Sequence, residues 1–188
     1  DFSCVIESQN ADTIYEVPLF MMHQKLDLVV SKIICLKQIH NLNNQVWINR
    51  LKKLKNPKKN INVALVGKYV ELKDSYKSIY EALIHAGAFL DTQINIKWLH
   101  SEKLQKNNVK EYLKDCNCVI VAPGFGDRGV DGKIIAVKYV RENNIPFLGI
   151  CLGMQVAVIE FARNVCGYKD AHSKEMKKNT KHPVIDLM

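Results

Sequence analysis

Residues 145–155 have the sequence IPFLGICLGMQ, in which a short apolar run ends at Gly149 and a helical pattern begins directly after Cys151. This order predicts a sharp turn from a β-strand into an α-helix, with the Cys151 thiol at the turn. Gly149 and Gly153 flank the cysteine, where such a turn needs close backbone approach. The first turn of a helix favours negative charge and lowers the pKa of a thiol beside it. A lone cysteine is more often a small buried apolar residue, but the two glycines and Gln155 favour a nucleophile.

From residue 62 onward, apolar strand-like segments alternate with helix-like segments. Continuous apolar strands between helices predict an α/β fold, with a parallel sheet covered by helices on both faces. Because the carboxyl ends of parallel strands meet at one edge of the sheet, we expect Gly67, Gly124 and Cys151 to lie close together. The predicted strands are 63–67, 94–99, 118–122 and 147–150. One predicted helix begins near Ser75, and the others cover 109–114, 130–142 and 152–165.

Residues 1–60 differ in pattern from the rest of the chain. Residues 13–18 end in a proline and favour a short strand, whereas 26–36 and 46–51 carry apolar residues near helical spacing. A lysine-rich stretch around Pro57 is typical of a boundary. We therefore expect a mostly helical segment that is too short to bury a core alone.

The composition is that of an ordinary globular protein, with 47% apolar and 24% charged residues. No apolar run reaches the roughly 18 residues that a membrane helix needs, so we expect no membrane association. The six cysteines lack metal-type spacing, and we predict no metal site. A working free thiol suits a reducing compartment, and no secretory signal follows Asp1, so we expect a cytoplasmic protein. The lack of an initiator methionine leads us to expect a piece of a longer protein.

The net charge of +8 makes nucleic-acid binding a hypothesis to weigh. Much of the excess lies in two clusters of basic residues, at 50–59 and at 174–181. Neither cluster interleaves basic residues with aromatics, as nucleic-acid surfaces usually do. We predict that both are solvated linker or loop surfaces and that the protein has no nucleic-acid partner.

Four segments together resemble one protein family. They are 149–155 (GICLGMQ), 66–78 (VGKYVELKDSYKS), 124–129 (GFGDRG) and 182–186 (HPVID). On these motifs the chain resembles the CTP synthases, which are class I glutamine amidotransferases. The resemblance implies a flavodoxin-like α/β amidotransferase domain over 61–188, incomplete at its carboxyl-terminal end. It makes 1–60 the tail of a synthetase domain and an interdomain linker.

The resemblance implies that Cys151 attacks the side-chain amide of L-glutamine, forming a thioester and releasing ammonia. The backbone N–H groups of Leu152 and Gly124 are then expected to hold the oxyanion. The loop departs from the family pattern P-G-G-F-G, because Pro123 replaces the first glycine and has no N–H. Gly124 keeps its amide, so the donor remains. Further glutamine contacts are expected from Gly153, Met154, Gln155 and Glu175, the last of which would hold the α-ammonium group.

The catalytic base of the family is the histidine of an H-x-E pair that lies far beyond the nucleophile. His172 and His182 are the histidines that follow Cys151 here, and neither has a glutamate two residues later. We therefore expect the base to lie outside these 188 residues and the chain alone to be a poor glutaminase.

The resemblance also implies properties of the full enzyme. It would use ATP and Mg²⁺ to phosphorylate UTP and would replace that phosphate with ammonia, with GTP as activator and a homotetramer as the assembly. The sites for these nucleotides would lie mostly before residue 1, and none is expected to bind to this fragment alone.

Two other functions remain open at this stage. A different flavodoxin-like thiol hydrolase would explain the turn at Cys151, and an inactive amidotransferase-like binding domain would explain the missing base. A dinucleotide site at the glycines of 124–129 is disfavoured, because Asp127 and Arg128 place charge inside the pattern and no acidic residue ends the next strand.

Overall fold

The computed structural model describes residues 4–36 and 44–186, which fold as two compact units that divide between Asn56 and Pro57. The first unit contains α1 (Val17–His23), α2 (Leu26–Ile33) and α3 (Gln45–Lys55). The strand predicted over 13–18 is wrong, because a 3-10 turn over Ile14–Glu16 leads directly into α1. Proline is tolerated in the first turn of a helix, where its missing N–H would have no partner anyway. Pro18 therefore marks the start of α1 and not the end of a strand.

Side-chain contacts to the chain before α1 hold the first unit together. The indole N–H of Trp47 donates to the Tyr15 carbonyl at 2.9 Å, and the two rings lie 6.0 Å apart. Lys55 at the end of α3 pairs with Asp12 at 3.1 Å and also with Glu16. None of the three helices has a fully buried residue in the part that is described.

The second unit is built on a parallel sheet of four strands in the order β2-β1-β3-β4. The strands are β1 (Lys59–Gly67), β2 (Thr92–His100), β3 (Cys118–Val121) and β4 (Phe147–Gly149). The predicted parallel sheet is confirmed. Val66 pairs with Val121, and Val121 pairs with Gly149, so the strands end level with one another. The loops after β1, β3 and β4 consequently leave the sheet at the same edge.

Helices cover both faces of this sheet, as predicted. They are α4 (Lys77–Leu90), α5 (Val109–Leu113), α6 (Val130–Glu142) and α7 (Leu152–Asn164). Successive strand residues point to opposite faces, so Ala64 and Val66 of β1 pack in one cluster with residues of α5, α6 and α7. Val63 and Leu65 pack in a second cluster with residues of α4. Every one of these four strand residues is at most 1% exposed, which accounts for the uninterrupted apolar run over residues 63–66.

A short parallel pair after α7 was not predicted. It consists of β5 (His172–Ser173) and β6 (Pro183–Ile185). The segment is attached to the carboxyl-terminal end of α7, where Arg163 Nε donates to the Ala171 carbonyl at 2.7 Å. Strands of two and three residues are too short for a period-2 pattern, so no sequence pattern indicated them.

A buried ion pair joins α6 to α7. Arg141 donates through Nε and Nη2 to Glu160, with distances of 2.9 and 2.8 Å. The Glu160 side chain is 1% exposed and that of Arg141 is 33% exposed. Asn164 Nδ2 also donates to Glu160 at 3.1 Å. The carboxylate is therefore well paired, but among the residues that the structure describes a single guanidinium supplies its countercharge.

We expect Arg141→Ala to lower the free energy of unfolding by about 3 kcal/mol, because it leaves a buried carboxylate without its cation. Lys138→Ala is the matched control on the same helix, since Lys138 pairs with Glu142 at 3.6 Å on the exposed surface. Such a pair is worth about 0.5 kcal/mol or less. Urea unfolding of both variants measures the difference, and equal losses would contradict a special role for the buried pair.

Candidate active site

Cys151 lies at the turn between β4 and α7, as the sequence predicts. Its backbone has φ 54° and ψ −111°, a left-handed conformation that is strained for a residue with a side chain. The residues two before and two after it must be glycines. A Cβ on Gly153 would come within 2.1 Å of the Val121 carbonyl oxygen, and one on Gly149 within 2.6 Å of the Gly153 carbonyl carbon. This close packing presents an exposed thiol at the carboxyl edge of the sheet.

The amides that follow the thiol include one that is available to a ligand. The Gly153 N–H donates to the Ile150 carbonyl at 2.9 Å, and the Met154 N–H donates to the Cys151 carbonyl at 3.0 Å. The Gln155 N–H donates to the same Cys151 carbonyl at 3.2 Å. Across residues 4–36 and 44–186, no acceptor is bonded to the Leu152 N–H. Leu152 is thus suited to stabilise negative charge that develops beside Cys151.

The Gly124 loop, which follows β3, approaches this turn. A Cβ on Gly124 would lie 3.8 Å from Leu152 Cδ2, so the two predicted oxyanion donors belong to neighbouring segments. The Ala122 N–H donates to the Val66 carbonyl at 2.9 Å, and Pro123 offers no N–H, so Gly124 has the next amide of the loop. Phe125, the next residue of the loop, is 82% exposed.

Two buried lysines, which the sequence analysis did not select, lie beside the same loop. Lys133 of α6 is 0% exposed, and its Nζ donates to the Ala122 carbonyl at 2.8 Å. Lys68, directly after β1, is 5% exposed, and its Nζ donates to the Phe125 carbonyl. Burial and the positive charge of Lys68 lower the pKa of Lys133 to about 8, an effect that the charge of Cys151 opposes.

A signal for Lys133 was present in the sequence. It lies three residues after Val130 and four before Val137, and both valines are buried. Helical spacing of this kind places the lysine on the core face of α6. A lysine in such a position is rarely buried without a specific partner.

Tyr76, which follows β1, also shapes this edge of the sheet. The Tyr76 hydroxyl accepts from the Lys68 N–H at 3.2 Å and from the Tyr69 N–H at 3.3 Å. It occupies the space above Gly67, where a Cβ would lie 2.5 Å from the hydroxyl oxygen. Gly67 therefore lets the ring of Tyr76 fix the course of the chain that carries Lys68.

Gln155 has an unpaired acceptor. Its Oε1 is buried, and no hydrogen bond to it exists among the residues that the structure describes. A buried polar atom without a partner costs free energy, so a ligand with N–H donors would be favoured here. Of the neighbouring predicted contacts, Gly153 packs against Val121, and the Met154 side chain is 51% exposed.

Glu175 is not brought to the thiol by any contact in the described part of the chain. It is exposed in the turn after β5, where the Lys177 N–H donates to the Ser173 carbonyl at 2.9 Å. No ion pair of its carboxylate occurs within residues 4–36 and 44–186. Its predicted role thus has no geometric support of the kind found for Leu152 and Gln155.

The two downstream histidines have partners of their own. His182 Nδ1 is hydrogen-bonded to Asp170, and its ring stacks on Tyr168 at 4.7 Å. His172 Nδ1 accepts from the Ser173 N–H at 2.9 Å. Burial, with the charges of Arg163 and Lys177, lowers the pKa of His172. Neither ring makes a hydrogen bond to Cys151 in the described structure.

The described residues contain no group of three or more His, Cys, Asp or Glu side chains that could hold a metal ion. They contain no helix that is both long enough and apolar enough to cross a membrane. The features that gather at one place are therefore a thiol, backbone amides, a glutamine acceptor and two buried ammonium groups.

Curated relatives align along the whole of the chain. The CTP synthase of Cytophaga hutchinsonii is 55% identical over 188 residues, which are 100% of this chain and 35% of that protein. The CTP synthase of Methanocaldococcus jannaschii is 50% identical over 194 residues, which cover 100% of this chain and 36% of that protein. The chain thus spans about a third of the length of the curated relatives it matches.

A solved structure of the Trypanosoma brucei CTPS glutaminase domain with bound acivicin has the same fold, with a TM-score of 0.65 and 41% sequence identity. The match covers 68% of this chain and 50% of that one. The family model for glutamine amidotransferase class-I matches residues 71–186, a range that includes the turn at Cys151 and the Gly124 loop. Because that match takes in more than half of the sequence, the chain belongs to the class I glutamine amidotransferase family.

Proposed function

We propose that this chain is the part of a CTP synthase that hydrolyses glutamine, preceded by the tail of the synthetase domain and a linker. The observation that carries the proposal is the extent of the similarity. The family match begins at residue 71, yet the CTP synthase of Cytophaga hutchinsonii aligns with all 188 residues. Class I amidotransferases other than CTP synthases would be expected to align only with the part of the chain from residue 71 onward. The first unit, up to Asn56, would then be the synthetase tail and linker.

In the proposed reaction, Cys151 attacks the side-chain amide carbon of L-glutamine as a thiolate. The carbonyl oxygen becomes an oxyanion, which the N–H groups of Leu152 and Gly124 stabilise. A proton from the base that lies outside these residues goes to the amide nitrogen, so collapse of this intermediate releases ammonia and leaves a thioester, which water then hydrolyses to glutamate and the free thiol. The adjacency of the Gly124 loop to Leu152 supports this pairing of donors.

Substrate recognition would use the first turn of α7. The buried Gln155 Oε1, which lacks a partner among the described residues, is suited to accept from a substrate N–H group. Gly153 and Met154 would line the same pocket. Glu175 would hold the α-ammonium group, for which a carboxylate is the natural partner. Since Glu175 lies exposed in a turn, this role requires the turn to meet the substrate when the pocket is complete.

The synthetase reaction would take place elsewhere in the full protein. ATP, UTP and Mg²⁺ would bind mostly to the synthetase domain, GTP would act as activator, and four subunits would assemble in the cytoplasm. The residues described here offer no cluster of metal ligands that fits Mg²⁺, so we assign it no step on this chain. What this chain contributes is ammonia.

We expect a glutamine-like chloroketone to label Cys151 before the other five cysteines in a protein with a complete glutamine pocket. The reagent needs both a thiolate and a glutamine site, and Cys151 lies at the start of α7 beside its free amide. Burial raises the pKa of the Cys116 and Cys118 thiols, which makes them poor nucleophiles. Peptide mapping by mass spectrometry identifies the labelled cysteine.

Two controls belong to this experiment. Free glutamine should protect Cys151 and leave the slow labelling of the exposed Cys166 unchanged. Iodoacetamide needs no glutamine site, so its rate of labelling at Cys166 should be the same with and without free glutamine. Faster chloroketone labelling at Cys116, Cys118 or Cys166 than at Cys151 would refute the assignment of the nucleophile.

We also expect this chain alone to release ammonia from glutamine slowly, and a longer protein that includes the H-x-E pair to release it about 10²–10⁴-fold faster. The reason is that His172 and His182 are hydrogen-bonded elsewhere, so a base must come from other residues. Ammonia release from both proteins is the measurement. Cys151→Ala in the longer protein is the matched control and should abolish the reaction. If the short chain is as fast as the long one, the proposal of an external base is wrong.

A further inference from the structure

Two buried ammonium groups bracket the Gly124 loop. Lys133 Nζ donates to the Ala122 carbonyl at 2.8 Å, on one side of Gly124, and Lys68 Nζ donates to the Phe125 carbonyl on the other side. A Cβ on Gly124 would lie 3.6 Å from Lys133 Nζ and 3.3 Å from Lys68 Cε. Both lysines therefore contact the backbone that presents the Gly124 amide.

Neither ammonium group has a carboxylate partner among the described residues. A buried cation normally needs an anion or strong hydrogen bonds to offset its desolvation. Lys68 has partial compensation, because its Nζ lies 5.6 Å from the centre of the Tyr69 ring. Lys133 is 0% exposed and has only the Ala122 carbonyl as a bonded acceptor.

The charged groups that act on Lys133 come from two other elements. Lys68, after β1, repels it, and Cys151, before α7, attracts it when the thiol is ionised. The geometry places the two groups in one site, because a Cβ on Gly124 would lie 3.6 Å from Lys133 Nζ and 3.8 Å from Leu152 Cδ2, in the residue that follows Cys151. Coupling of this kind is reciprocal: a thiolate that favours the charged lysine is favoured by it to the same extent.

We propose that Lys133 is a positioning residue that holds the Gly124 loop through the Ala122 carbonyl and supplies the positive charge against which the Cys151 thiolate forms. The same charge would face the oxyanion, a part of the inference that rests on the proposed glutamine hydrolysis. The effect on the thiolate does not rest on it. A purely structural Lys133 would hold the loop but leave the ionisation of Cys151 unaltered.

The direction of the pH effect follows from the pKa of Lys133, which is about 8 and lies below the ordinary value for lysine. Lys133 is charged below that pH and becomes neutral above it. Near pH 7 its charge therefore favours the thiolate. Removing the charge should therefore disfavour the Cys151 thiolate and slow its alkylation near neutral pH.

The first test uses Lys133→Met in the 188-residue chain. Iodoacetamide is added over a range of pH, and the labelling rate at Cys151 is followed by peptide mapping. We expect the midpoint of the rate profile to rise by about one pH unit, and the rate near neutral pH to fall about tenfold, because a nearby charge shifts a pKa by roughly 1–3 units. The rate at Cys166 in the same samples should not change.

Lys138→Met is the matched control, since Lys138 lies on α6 but has an exposed side chain paired with Glu142. It should leave the Cys151 profile where it is. A folded Lys133→Met chain with the same Cys151 midpoint as the unaltered chain would overturn the proposal. So would an equal shift in the Lys138→Met control.

A reciprocal measurement keeps the proposal testable if Lys133→Met does not fold. In chains with ¹³C at the lysine ε-carbon, the lysine with a pKa of about 8 is followed by NMR in the unaltered protein and in Cys151→Ala. Loss of the thiolate should lower that pKa further, and an unchanged value would overturn the inference. Neither experiment contains glutamine. The proposed glutaminase activity is tested separately, by ammonia release, so a failure of one proposal can be told from a failure of the other.

Discussion

The site depends on the contact between the backbone of Gly153 and the carbonyl of Val121. No residue with a Cβ fits there, since that atom would lie 2.1 Å from the carbonyl oxygen. The contact sets the first turn of α7 directly on β3, and the short connection from β4 must then reverse direction within two residues. Cys151 absorbs this constraint with a φ of 54°. Such strain persists only where surrounding contacts hold the backbone in place. Here the Ile150 N–H donates to the same Val121 carbonyl at 3.0 Å, and this bond helps to hold the turn.

The same packing explains why charge accumulates at this edge of the sheet. Parallel strands that end level bring the loops after β1, β3 and β4 together, and each loop contributes a positive group or an amide. Lys68 follows β1, Gly124 follows β3, and the start of α7 follows β4. These groups lie at or below the surface, where electrostatic interactions are less screened than in water. A negative charge on the thiol or on a bound carbonyl oxygen is what this edge favours.

The sequence predicted the parts of the molecule that are encoded locally. The alternation of apolar strands and helices gave the parallel sheet, and the spacing of Gly149, Cys151 and Gly153 gave the strained turn. The prediction failed where one residue type suits two structures, as with Pro18, which can end a strand or begin a helix. The sequence contained no indication of contacts between side chains and backbone groups that belong to different elements. Lys133 shows this best: its helical spacing indicated burial, but nothing in α6 indicated that its ammonium group would meet the Ala122 carbonyl of β3's loop.

The separation of the Cys151 thiol from the downstream histidines has a physical origin in these contacts. The thiol, the free Leu152 amide and the Gly124 loop come from consecutive strand–helix units, so folding of the sheet assembles them together. The downstream histidines belong to a segment attached to Arg163, which lies twelve residues after Cys151 and so roughly 18 Å further along α7. That segment is stabilised by its own contacts, including the bond of His182 to Asp170 and its stacking on Tyr168. Moving His182 to the thiol would break those contacts, so a base for the proposed reaction would have to come from chain that is not tied to the far end of α7.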